Sequence, residues 1–143
     1  MIDLIARMGG ILAILGMIHF VIDWVFQSHA TAMSKHKDAY VRALHCLLYV
    51  TPFVALFGLL HVPPFATANL TGWLWLTHFF EDSYWPVVWW AKHIRRPLEL
   101  EGLANLRQWF DTPLGKILLI AIDQIIHIVC LLPVAYVLAT QVP

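Results

Sequence analysis

An all-α membrane protein is what this sequence predicts, built as four transmembrane helices in an up-down bundle with both termini extracytoplasmic. Three observations lead there. Apolar residues make up 60% of the chain and charged residues only 13%, about half the charge of an ordinary soluble domain. Mean hydropathy is +0.71. Four stretches, at about 5–27, 40–60, 70–91 and 114–139, each supply the roughly 20 mostly apolar residues that a helical crossing needs. This composition excludes a disordered tail and an ordinary cytosolic enzyme. Nine basic and nine acidic residues cancel, so no net field recruits nucleic acid.

The first span, from about Ile5 to Gln27, carries His19 and Asp23 in its apolar run, and no small-residue cleavage site follows. It therefore reads as a span and not as a signal peptide. Residues 28–39 are polar and basic. The second span runs from about Tyr40 to Leu60, and the proline turn at 61–69 carries no charge. Trp73 and Trp75 near one end of the third span, and Trp89 and Trp90 near the other, suit two aromatic belts. Between the third and fourth spans, Pro97 opens an interfacial helix at about 97–110, with Leu103, Leu106 and Phe110 at helical spacing. The last span, from about Leu114 to Ala139, completes a single domain over residues 1–143. Cys46 and Cys130 lie in apolar runs and form no CxxC pair.

Orientation follows from Lys and Arg near the span ends. Lys35, Lys37 and Arg42 flank the first connection; Lys92, Arg95, Arg96, Arg107 and Lys116 flank the third; Arg7 alone marks the opposite side. Eight against one puts the first and third connections in the cytoplasm. Lys35-His36-Lys37 reads as a positive-inside flank.

Polar residues inside the spans carry the chemistry. His19, Asp23 and Gln27 follow one another at intervals of four; His78 and Asp82 are four apart, as are Asp123 and His127; His45 stands on the second span. Residues four apart share one helix face. Counted inwards from the cytoplasmic ends of antiparallel helices, they fall within ~6–20 Å of one boundary. Single intramembrane histidines are usually packing residues. Three His/Asp pairs at matched depth point instead to one site, because ionisable groups in a membrane are functional by default. Gln124 adjoins the last pair, and Glu81, beside His78 and Asp82, can equally face a headgroup.

Charge narrows the chemistry. Asp23, Asp82 and Asp123 each cost roughly 2.5–3.5 kcal/mol in mid-membrane, and no Lys or Arg lies deep in any span. Their compensating cation is then a proton, an imidazolium or a metal. Imidazole with carboxylate suits zinc or iron. Seven His/Asp side chains exceed the ligands of one zinc, so either two ions bind, or one ion binds with supporting partners.

The opening His19–Gln27, the lysine stretch at 35–37, His45 and the closing Asp123-Gln124-Ile-Ile-His127 resemble a family of small bacterial and phage integral membrane proteins of unknown function. An H-x3-D-x3-Q opening and a D-Q-x2-H closing motif mark that family. The resemblance covers roughly the whole chain and implies that His19, Asp23, Gln27, His45, Asp123 and His127 are its polar signature here. It also implies a bacterial inner membrane, and it brings no activity.

The functional expectation is a metal-dependent hydrolase acting on a lipid or lipid-linked substrate from the cytoplasmic side. His19, Asp23, His45, Asp123 and His127 are its expected metal ligands, with His78, Asp82 and Gln27 as catalytic or supporting groups. The cofactor is one or two divalent ions, zinc or iron. Partners are membrane lipid and, at this size, a second copy or a larger membrane complex. Competing readings are a proton relay or transporter subunit, a bis-histidine haem bundle, and a structural subunit.

Overall fold

The computed structural model describes residues 1–95 and 106–141. Four long helices dominate it: α1 (Ile2–Phe20), continued by a π-helical turn at Val21–Val25; α3 (Ala39–Leu59); α4 (Pro64–Glu81); and α7 (Pro113–Gln141). Three short ones connect them: α2 (His29–Ser34), α5 (Trp85–Trp90), which runs into a second π turn at Ala91–Arg95, and α6 (Leu106–Asp111). No strand occurs among the described residues.

Local chemistry sets the helix boundaries. Asp38 caps α3 by accepting from the backbone N–H groups of Tyr40 (2.8 Å) and Val41 (3.2 Å), and the Ser28 hydroxyl accepts from Thr31 N–H (3.1 Å) at the start of α2. Pro64 opens α4 in the first helical position, where its missing N–H is not needed. Before α7, Thr112 Oγ1 accepts from Gly115 N–H at 3.0 Å. Thr51, Thr77 and Thr140 return their hydroxyls to the carbonyl four residues back, which satisfies them without water.

The four long helices close a ring, because α1 packs along α7, α7 along α4, α4 along α3, and α3 along α1. One half of its interior is apolar and centres on Leu15, Phe53, Phe57, Leu74, Leu131 and Leu138. At Gly16 a side chain would meet Ile128 Cδ1 at 3.4 Å, so α1 and α7 approach closely there. Trp73 Nε1 donates to the Cys130 carbonyl at 2.9 Å and ties α4 to α7. The outer surface is apolar too: Ile5, Leu47, Leu48, Ile117 and Ile125 are exposed. Such a surface suits lipid and not water. Three helices are long and apolar enough to cross a membrane: Ile2–Val25, Ala39–Leu59 and Pro113–Gln141.

The third span departs from the sequence expectation. A continuous helix over 70–91 is replaced by α4, which begins earlier, at Pro64, and ends at Glu81. Pro86 explains the stop, since its ring blocks helix continuation from the carbonyl four residues back and it disfavours helix at Trp85. Tyr84 instead takes a left-handed φ of 61°, and the chain restarts as α5. Trp89 and Trp90 thus leave the span whose belt they were expected to form. The interfacial helix expected at 97–110 lies mostly outside the described residues, and its last part coincides with α6.

Candidate metal centre

Each ring helix delivers polar side chains to the same end of the bundle. His19 and Asp23 come from the end of α1 and its π turn, His45 and Tyr49 from the first turns of α3. His78, Glu81 and Asp82 come from the end of α4, and Asp123, Gln124 and His127 from the first half of α7. Seven of these are buried: His19, Asp23, His45, His78, Glu81, Asp82 and His127. The π turn, closed by Phe26 N–H to the Val21 carbonyl at 3.1 Å, holds Asp23 inward while Trp24 stays exposed. Such turns recur at functional sites.

Four ligand atoms face one another. His45 Nε2 lies 3.0 Å from Asp23 Oδ1, 3.5 Å from Asp82 Oδ2 and 3.1 Å from His78 Nε2. His78 Nε2 lies 3.8 Å from Asp23 Oδ1 and 3.3 Å from Asp82 Oδ2. All four residues offer atoms within 4.8 Å of one another. A tetrahedral zinc with bonds of about 2.0–2.1 Å sets its ligands about 3.3–3.4 Å apart. Protons alone serve this cluster poorly. One Nε2–H on His45 cannot satisfy two aspartates and the facing His78 nitrogen, and Asp82 Oδ2 has no hydrogen-bond partner.

Lys35 is the main correction to the sequence reading. Far from being only a flanking charge, its ammonium reaches back into the bundle end, 2.8 Å from Asp23 Oδ1 and 2.8 Å from Asp82 Oδ1. A lysine thus compensates these carboxylates directly, from outside the spans. Burial pulls its pKa down, but the facing charges of Asp82 and Asp23 more than offset this and hold it above the ordinary value. Arg42 fixes the approach, donating to the carbonyls of Lys35 (3.0 Å) and His36 (3.4 Å) while its guanidinium lies 4.5 Å over the Phe79 ring. Gln27 completes the setting, with its amide oxygen 2.9 Å from Lys35 Nζ and 3.1 Å from His45 Nε2 and its nitrogen donating to the Asp23 carbonyl at 3.2 Å.

His19 sits beside the four-atom cluster with both nitrogens occupied. Its Nε2 donates to Gln124 Oε1 at 3.1 Å and its Nδ1 accepts from the Tyr49 hydroxyl at 3.3 Å. It stacks on His127 with centroids 4.9 Å apart, while the Tyr49 ring stacks on His78 at 3.6 Å. His127 Nδ1 donates to the Asp123 carbonyl at 2.8 Å, which leaves Nε2 as the free lone pair, 3.4 Å from Glu81 Oε2. The Asp123 carboxylate accepts from Gln124 at 3.1 Å and stays 3.9 Å from His127, with 19% of its side chain exposed.

Of the expected ligands, then, Asp23 and His45 meet His78 and Asp82; His127 meets Glu81 and His78; His19 and Asp123 stand alongside. Glu81 lines the cluster instead of facing a headgroup, and the Cys130 thiol interacts with it. Its place three residues after His78, on the same helix face, was a usable signal. So was Tyr49, four after His45. Lys35 had none, because helical periodicity does not record where a connection folds back.

A cleft of about 410 Å³ opens beside the centre, lined by Trp24, Gln27, Lys35, Tyr84, Asp123 and Gln124 among others. Comparison with curated proteins and with solved structures returned no match. The sequence pattern of the family described as "protein of unknown function (DUF3307)" matches residues 11–143. That match takes in every helix of the ring and every residue of the centre, and the chain belongs to this family of unknown function.

Proposed function

We propose that the protein is a metal-dependent hydrolase of the bacterial inner membrane, crossing it four times with both termini outside. Its substrate is a lipid or lipid-linked group that enters from the cytoplasmic side. The observation that carries this reading is the spacing of Asp23 Oδ1, His45 Nε2, His78 Nε2 and Asp82 Oδ2, five of whose six separations lie between 3.0 and 3.8 Å. Two imidazoles and two carboxylates form a donor set for zinc or iron. A divalent ion there supplies Lewis acidity, polarising a scissile ester and lowering the pKa of water.

The remaining groups have matching tasks. Lys35 keeps a fixed positive charge on the cleft side of Asp23 and Asp82, where an anionic headgroup would lie. Asp123, partly exposed at the cleft and held by Gln124, is placed to accept a proton from water. Gln27 orients Lys35 and His45. The apolar outer surface lets an acyl chain remain in lipid while its polar end reaches the cleft.

Elemental analysis and an absorption spectrum of detergent-purified protein test the reading. Stoichiometric zinc or iron, together with hydrolysis of a phospholipid or lipid-linked ester panel that chelation abolishes, is the expected result. Protein that takes up no divalent ion after stripping and reloading overturns it.

One observation favours a proton relay instead: Lys35 already pairs with both Asp23 and Asp82 at 2.8 Å. On that reading chelators change nothing, and function responds to pH alone.

A further inference from the structure

We propose a second divalent-cation site in the same bundle end, formed by Glu81, His127 and His78, so that the centre holds two ions with Asp82 between them. This rests on the metal reading above, since His78 and Asp82 serve both positions. The first site uses Nε2 of His45 and His78, Oδ1 of Asp23 and Oδ2 of Asp82. What it leaves over is a group of buried polar atoms with nothing to bond.

Among the described residues, Glu81 Oε1, His127 Nε2 and His78 Nδ1 have no hydrogen-bond partner, although these residues are only 4%, 2% and 1% exposed. Unsatisfied buried polar atoms are rare in folded proteins, and three in one spot call for an occupant. Glu81, His127 and His78 offer ligand atoms within 4.8 Å of one another. The 3.4 Å between Glu81 Oε2 and His127 Nε2 matches two ligands on one small cation.

The histidine is also prepared. Because a carbonyl oxygen only accepts, the 2.8 Å contact from His127 Nδ1 to Asp123 places the proton on Nδ1 and leaves Nε2 as a lone pair facing Glu81. A ring nitrogen held this way by a backbone carbonyl orients a metal-binding histidine. Asp82 supplies the link: Oδ2 faces His45 and His78, while Oδ1 lies 3.8 Å from His127 Nε2. Two ions sharing such a carboxylate sit about 3.5–4 Å apart in two-metal sites.

Cobalt(II) titration of the chelator-stripped, full-length protein in detergent, followed by absorption and checked by elemental analysis, tests this. Wild type should bind two cobalt ions per chain, and Glu81→Gln should bind one. Wild type that saturates at one ion, with that ion lost in Asp23→Asn, overturns the second site and leaves the hydrolase reading standing. No binding at all sinks both. If Glu81→Gln does not insert, electron paramagnetic resonance of fully loaded wild type decides alone: spin coupling between the cobalt ions supports the pair, and an isolated-ion spectrum overturns it.

Discussion

The ammonium of Lys35, on the connection between the first two long helices, stands 2.8 Å from Asp82 at the end of α4. The same ammonium is 2.8 Å from Asp23, so one side chain from outside the spans binds two helices that are not consecutive. Its side chain is 13% exposed, which makes it a buried pair and not a surface one. Removing one partner of a buried pair typically costs about 3–5 kcal/mol, because the other charge is left uncompensated. Lys35→Met should therefore lower the melting temperature in detergent, and more so with chelator than with saturating zinc, whose charge replaces the lost one. Equal losses under both conditions would argue against an ion near these carboxylates.

Asp23 and His19, four apart on one helix, should behave differently. Asp23→Asn removes a ligand atom and should abolish stoichiometric metal binding. His19→Phe removes a group whose nitrogens are spent on Tyr49 and Gln124, and it should weaken binding by about 10–100-fold, as loss of a supporting partner does. Competition against a chelating dye measures both. Abolished binding in His19→Phe would move His19 into the ligand set.

Alkaline stability should report Lys35. Its pKa in the folded protein lies above the ordinary 10.5 because Asp82 and Asp23 outweigh the opposing effect of burial. A group whose folded pKa is raised contributes stability that is complete below its unfolded pKa and is lost as pH rises through the folded value. The melting temperature of metal-free protein should thus hold steady through neutral pH and fall above about pH 10.5, and Lys35→Met should lack that component. Metal affinity should fall at the acid end, where protons compete for imidazole.

Topology can be read independently of the chemistry. A C-terminal alkaline phosphatase fusion should be active outside the cytoplasm, and a Lys37→Cys variant should react with a membrane-impermeant thiol reagent only after the cytoplasmic face is opened. The eight-to-one imbalance of Lys and Arg is the driving asymmetry. A cytoplasmic C-terminus would invert the bundle and put the centre on the other face.

Helix identity and the convergence of His/Asp pairs were legible because both are periodic. Spacings of four on α1, α4 and α7 placed six of the polar residues on inward faces. Sequence reading failed where periodicity carries no information. Lys35 belongs to a connection whose return path is set by the Arg42 contacts and the short helix α2. The early start of α4 depended on treating Pro64 as an initiator instead of a breaker. The loss of the 82–91 segment from the third span depended on one backbone angle at Tyr84. Which histidine nitrogens stay free was invisible too, since tautomers follow from neighbours such as the Asp123 carbonyl.

The π turn at Val21–Val25 has a consequence for length as well as for geometry. It is one residue longer than the α-helical turn it replaces. Deleting a single residue within it would let the helix close normally and swing everything beyond it by about 100° around the axis, the angle one residue subtends. Gln27 and the chain leading to Lys35 would be carried away from Asp82, with no apolar residue lost and no change in the helix's fitness for lipid. The first helix is therefore indexed like a key. A one-residue deletion at this point should leave an inserted, folded bundle whose polar end no longer meshes, whereas the same deletion near Ile5 should merely shorten the far end.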